Sequence, residues 1–146
     1  MFVSQVIMAA LPNIELVSFF IIITTRKFGI KSLWSVYIFV ILEILYHGLH
    51  LWVICYLYVW AILVFIILPI RKNDSMILYT LISSIYGFIF GTLCSVPYFI
   101  TGGIGYGISW IIGGIASGFD IYHGVGNFLL TLILFKPTTK MFDKIK

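Results

Sequence analysis

The chain has 146 residues, 62% of them hydrophobic and only 10% charged, with a net charge of +4. A soluble domain is about half apolar and a quarter charged, so this composition argues against a soluble globule and for a single transmembrane domain covering residues 1–146. The positive charge does not point to nucleic acid: the basic side chains sit at the ends of apolar runs, where lipid head groups would meet them, and no nucleic-acid-binding motif is visible.

A spanning helix needs about 20 apolar residues. Phe2 to Leu11 is shorter and stops at Pro12-Asn13, which predicts a short or partly inserted first helix. No cleavable signal peptide is read there, because a basic leader region and a good cleavage site are both missing. Ile14 to Thr25 forms a second segment, closed by Arg26-Lys27, and Ser32 to Tyr46 a third, ending near His47-Gly48. Leu51 to Ile70 is a fourth, closed by Pro69 and Arg71-Lys72. Asn73-Asp74-Ser75 has the character of a helix N-cap. Met76 to Val96 is a fifth, expected to stop at Pro97. Ile100 to Gly107 is glycine-rich and reads as a loop, either a plain connector or a gate over a ligand. Tyr106 to Phe135 holds the last helix, expected to end at Lys136-Pro137.

The expectation is therefore an all-α integral membrane bundle of about six transmembrane helices. The runs are continuous, which speaks against the short alternating strands of a membrane barrel. All Lys and Arg fall in three clusters: Arg26, Lys27 and Lys31; Arg71 and Lys72; and Lys136, Lys140, Lys144 and Lys146. These follow the second, fourth and sixth segments. Positive loops stay in the cytoplasm, so both termini are expected there, in a prokaryotic plasma membrane. Gly87, Gly91 and Ser95, and likewise Gly114 and Gly118, have the small-xxx-small spacing that lets helices pack closely in lipid. Cys55 and Cys94 read as small buried hydrophobes, with a disulfide or a metal pair as the other readings.

Ionisable side chains in apolar segments are costly and usually face a cavity or a partner. Here they are Glu15, Glu43, His47, His50, Asp120 and His123, joined by neutral Asn127. Glu43, His47 and His50 would share a face of one continuous helix, and Asp120, His123 and Asn127 repeat that spacing. Gly124 and Gly126 leave the backbone beside His123 open to close approach. Asp120 and His123 are expected near the middle of the last segment, and Glu15, Glu43, His47 and His50 near external helix ends. A pocket in the outer half of the bundle would collect them, with Trp52, Tyr56 and Trp110 as candidate stacking walls. Substrate binding is thus assigned to Glu15, Glu43, His47, Trp52, Tyr56, Trp110, Asp120, His123 and Asn127. The competing reading is local pairing, Glu43 with His47 and Asp120 with His123.

Other chemistries fit less well. Imidazoles and carboxylates suit a transition metal such as cobalt or nickel, and two histidines can hold a haem; both stay as alternatives. HExxH, GxSxG and Walker motifs are missing. Neither enzymatic activity nor a cofactor is expected.

Four stretches resemble the substrate-binding S component of an energy-coupling factor (ECF) vitamin transporter: Ala10-Leu11-Pro12-Asn13-Ile14-Glu15; Phe28-Gly29-Ile30-Lys31; Tyr37-Ile38-Phe39-Val40-Ile41-Leu42-Glu43 leading to Tyr46-His47-Gly48; and Gly118-Phe119-Asp120-Ile121-Tyr122-His123-Gly124-Val125-Gly126-Asn127-Phe128. The resemblance covers nearly the whole chain. It implies a six-helix bundle that binds a vitamin or related nutrient from outside. It also implies a transmembrane coupling protein and two ATPase subunits as partners, with the bundle toppling in the membrane to carry its ligand inward. In that family the first helix usually carries an Ala-x-x-x-Ala docking motif. This chain has Ala9 and Ala10 without that spacing.

Overall fold

The computed structural model describes residues 1–8 and 14–144. Ala9, Ala10 and the Leu11-Pro12-Asn13 break lie outside the described residues, as does Lys146. The described chain is helical: α1 (Phe2–Met8), α2 (Val17–Phe28), α3 (Ser32–His47), α4 (Leu51–Ile67), α5 (Met76–Leu93), α6 (Val96–Ala116) and α7 (Phe119–Asp143). Four helical stretches are long and apolar enough to cross a membrane: Val17–His47, Leu51–Ile70, Met76–Leu93 and Val96–Ala116. Large apolar side chains such as Trp34, Ile38, Leu45, Ile85 and Ile133 point outward, whereas Ser18, Glu43, Ser83, His123 and Asn127 are buried. Polar groups inside and apolar groups outside is the arrangement lipid requires. The protein is membrane-embedded.

The Val17–His47 stretch is a hairpin. Gly29 takes φ 61°, a conformation that favours glycine, and the following 3-10 turn sends α3 back along α2. Thr25 and Ser32 hydroxyls lie 2.9 Å apart across the turn. Arg26 clamps this end. It donates to the Asn73 carbonyl at 2.8 Å, to Asp74 at 2.9 Å and to Thr139 at 3.3 Å. Its guanidinium also lies 4.8 Å from the Tyr79 and Phe135 ring centres, so one side chain ties α2 to α5 and α7. The described members of the three basic clusters flank this end, as the alternation of charged and uncharged turns predicts. At the start of α5, Ser75 caps the helix by accepting from the Leu78 N–H at 3.3 Å.

The pair α5 and α7 runs antiparallel and very close. A Cβ on Gly87 would stand 2.8 Å from the Gly124 backbone, so the small-residue stripe packs helices as expected. Polar groups zip the seam: Ser84 donates to the Gly124 carbonyl at 3.0 Å, Asn127 to the Ser83 carbonyl at 3.2 Å, and Thr131 to the Ser83 hydroxyl at 3.0 Å.

Several sequence expectations fail here. The segment from Ile100 to Gly107 is helical, not a loop. Lipid cannot hydrogen-bond free peptide groups, so a glycine-rich stretch in a membrane pairs its own backbone. Its break is confined to Gly103, at φ 74° and ψ −173°. There α6 doubles back: Tyr98 and Trp110 stack with ring centres 3.8 Å apart, whereas a straight helix would separate them by about 18 Å. Length and composition alone qualify α6 as a span, but its path returns it to the end where it began. Pro97 opens α6 rather than closing α5, because the first turn of a helix has N–H groups with no internal partner. Pro137 does not stop α7, which runs on to Asp143. There Thr139 accepts from Arg26 and Phe142 packs on Phe28. Cys55 and Cys94 form a disulfide with Cα atoms 5.1 Å apart, joining α4 to the end of α5.

Candidate functional site

At the end away from the basic clusters, α1, α2, α3, α4 and α7 direct polar side chains inward. Glu43 sits on the last full turn of α3 with 0% of its side chain exposed. Its Oε2 accepts a long 3.5 Å hydrogen bond from the Gln5 amide of α1 and lies 3.6 Å from His47 Nε2. Glu43 Oε1 has no partner, and neither has Gln5 Oε1. Glu15, just before α2, places Oε1 3.2 Å from His123 Nε2 of α7. That is ion-pair distance, yet the two atoms are not aligned for a hydrogen bond and both count as buried without one. Glu15, Glu43 and the Tyr56 hydroxyl of α4 are near neighbours.

One turn towards the basic end lies a second layer. Ser18 of α2, Trp60 of α4 and Asn127 of α7 each keep a buried polar atom unpaired: Oγ, Nε1 and Oδ1. Buried polar atoms in folded proteins nearly always find partners. So many orphans in two adjacent layers mark a place built to meet something polar.

Aromatic rings line the same region. Trp52 meets His47 at 5.1 Å and Tyr56 at 5.6 Å. Tyr56 meets Trp60 at 5.3 Å, Trp60 meets Phe90 at 4.9 Å, and Phe90 meets His123 at 4.6 Å. The structure thus brings together Glu15, Glu43, His47, Trp52, Tyr56 and His123, with Asn127 one turn deeper.

Asp120 and Trp110 behave differently. Asp120 lies in the first turn of α7, not near the middle of the last segment, because a separate helix precedes it. Its Oδ1 accepts the Gly91 N–H at 2.8 Å, and Trp110 Nε1 donates to the Gly91 carbonyl at 3.1 Å. Both are occupied in fastening α6 and α7 to α5. A Cβ on Gly91 would meet the Asp120 carboxylate at 2.7 Å, so the glycine makes room for that contact. The local Glu43–His47 pair is present, with His47 39% exposed, whereas the acid beside His123 is Glu15 rather than Asp120. His50 does not share a face with Glu43 and His47: α3 ends at His47, Gly48 turns the chain at φ 81°, and His50 stacks on Trp52 at 6.4 Å. The open backbone expected beside His123 is taken up by α5, since a Cβ on Gly124 would strike the Phe88 ring.

Gln5, Ser18, Trp60 and Phe90 were not expected in the site. Gln5 had the same signal as the acids, a polar side chain in an apolar run. Trp60 had none, since aromatic residues are scattered throughout α4. Among the described residues, no three of His, Cys, Asp and Glu come together as a metal-ligand set. Comparison with protein-family models, with curated proteins and with solved structures returns no match.

Proposed function

We propose that the protein is the substrate-capture membrane subunit of an ECF-type importer, taking a vitamin or related micronutrient from outside a prokaryotic cell. In this reading the basic end, with both termini, faces the cytoplasm, and the polar cluster lies towards the outside. A coupling protein and two ATPases supply the energy for delivery. The observation that carries the reading is the set of buried, unpartnered polar atoms on Gln5, Glu15, Glu43 and His123, gathered from four chain segments at one end. A purely structural pair would satisfy its own atoms. Leaving each buried group unpaired costs about 1–3 kcal/mol, which a ligand supplying complementary groups would recover. The apolar exterior suits a bundle that moves as a body against lipid.

The test is native mass spectrometry of the detergent-purified chain. A single retained small molecule, lost when Glu43 and His123 are both replaced by Ala, is the expected result. A clean apo mass from a vitamin-replete host, with no shift on adding a vitamin mixture, would refute the reading.

A further inference from the structure

The chemistry of the orphaned atoms narrows the ligand. Asn127 gives its amide nitrogen to the Ser83 carbonyl, which can only accept, so the side chain that remains unpaired is an acceptor oxygen. Gln5 gives its nitrogen to the Glu43 carboxylate, and by the same logic its free atom is also an acceptor. Glu15 Oε1 and Glu43 Oε1 are acceptors when ionised. Against these four stands one obligatory donor, Trp60 Nε1, while the Ser18 hydroxyl and His123 Nε2 serve either way. The cluster therefore offers oxygens and asks for N–H or O–H groups.

Charge points the same way. Each of the two glutamates keeps an oxygen without an aligned donor, despite His123 at 3.2 Å and His47 at 3.6 Å. Among the described residues, no Lys or Arg lies in this half of the molecule, since they sit in the clusters at the other end. An anion would find no countercharge here beyond imidazole. The rings of Tyr56, Trp60 and Phe90 pack against one another beside the same place, and aromatic rings attract cations.

Resting on the capture reading above, we propose that this site selects an organic cation: a flat, ring-bearing amidinium or ammonium rich in N–H donors, held between Glu15 and Glu43 and stacked against the Tyr56–Trp60–Phe90 wall. Neutral and anionic compounds of the same shape are rejected by unpaired carboxylate oxygens, a stronger filter than shape alone.

The probes are benzamidinium, benzamide and benzoate, three near-isosteres of charge +1, 0 and −1, added to the purified protein while Trp fluorescence and unfolding temperature are followed. Benzamidinium should bind and stabilise, and the other two should do neither. Glu43→Gln and Glu15→Gln should each weaken benzamidinium by about 30-fold or more, the loss expected when one partner of a buried charge pair is removed. The ligand-free variants should unfold at the same temperature as wild type or higher, because each carboxylate keeps a buried oxygen that no donor satisfies. A structural acid would behave oppositely, with lower stability, so misfolding is separable from loss of recognition. Benzamide or benzoate binding as well as benzamidinium overturns the charge assignment and leaves the capture reading standing. Potassium or magnesium producing the same stabilisation overturns the organic part. No response to any probe, together with a clean apo mass, overturns both.

Discussion

Replacing Gly87 by Ala tests whether the α5–α7 seam positions the site. The added Cβ would sit 2.8 Å from the Gly124 Cα, the Gly124 nitrogen and the His123 carbonyl carbon. These are backbone atoms of a helix, so no side-chain rotation relieves the overlap. The helices must part by about 0.6 Å or more to reach ordinary carbon contact. That movement acts on bonds already at 3.0–3.2 Å between Ser84 and Gly124, Asn127 and Ser83, and Thr131 and Ser83, and several pass beyond hydrogen-bonding range. Overpacking costs about 1–3 kcal/mol, and each interhelical bond in a membrane adds roughly 0.6 kcal/mol. The expected loss is therefore about 2–4 kcal/mol, with His123 carried away from Phe90. The assay is thermal unfolding in detergent, with Gly113→Ala as control, because nothing lies within 4 Å of a Cβ placed there. If the two variants unfold at the same temperature, the seam is not tight and the packing argument is wrong.

Other outcomes follow from single contacts. Arg26→Met should destabilise by about 2–4 kcal/mol, since it removes three hydrogen bonds and the ring contacts of a nearly buried guanidinium. Arg26→Lys should recover only part of this, as an ammonium cannot reach the same partners at once. Asp74→Ala should leave the unfolding temperature unchanged, because that carboxylate is 96% exposed and its ion pair is screened. Unreduced protein should resist thiol alkylation at Cys55 and Cys94 and take up two labels after reduction. The crosslink closes a 39-residue separation, so reduction should cost at most about 4 kcal/mol in a chain-entropy account.

The gross architecture was legible because lipid imposes few options: apolar runs become helices, and charges mark their ends. Ser75 and Gly87 could be read because a cap and a small-residue stripe are local patterns. One misreading comes from applying to lipid a rule learned from water. Glycines between 100 and 107 signal a loop where water can solvate the backbone, but here they form two helical arms hinged at Gly103. Pro97 and Pro137 look like stops in the sequence, yet one opens a helix and the other lies within one. The polar residues stood out as costly, but their partners did not, because Glu15 reaches His123 from more than a hundred residues away. No spacing rule encodes that contact. The Cys55–Cys94 pairing was hidden for the same reason, being set by how α4 meets the end of α5.

Asp120 and Glu43 show why residue type alone does not define a binding site. Both are acids on apolar helices, and both are buried. Asp120 faces Gly91, whose missing side chain lets a backbone N–H reach the carboxylate at 2.8 Å. Its negative charge is met by a fixed donor, and the bond holds α7 against α5. Glu43 faces a long amide contact, a partly exposed imidazole and aromatic rings, and retains an oxygen with no donor. Desolvating a carboxylate without compensation opposes folding, so the position is retained at a cost unless a ligand completes it. The difference lies in the donors around each acid. It predicts opposite signs for the two isosteric changes: Asp120→Asn should lower the stability of the ligand-free protein by loosening the Gly91 contact, whereas Glu43→Gln should not lower it and should abolish cation binding. Equal losses of stability in both variants would mean that Glu43 is one more fastening between helices.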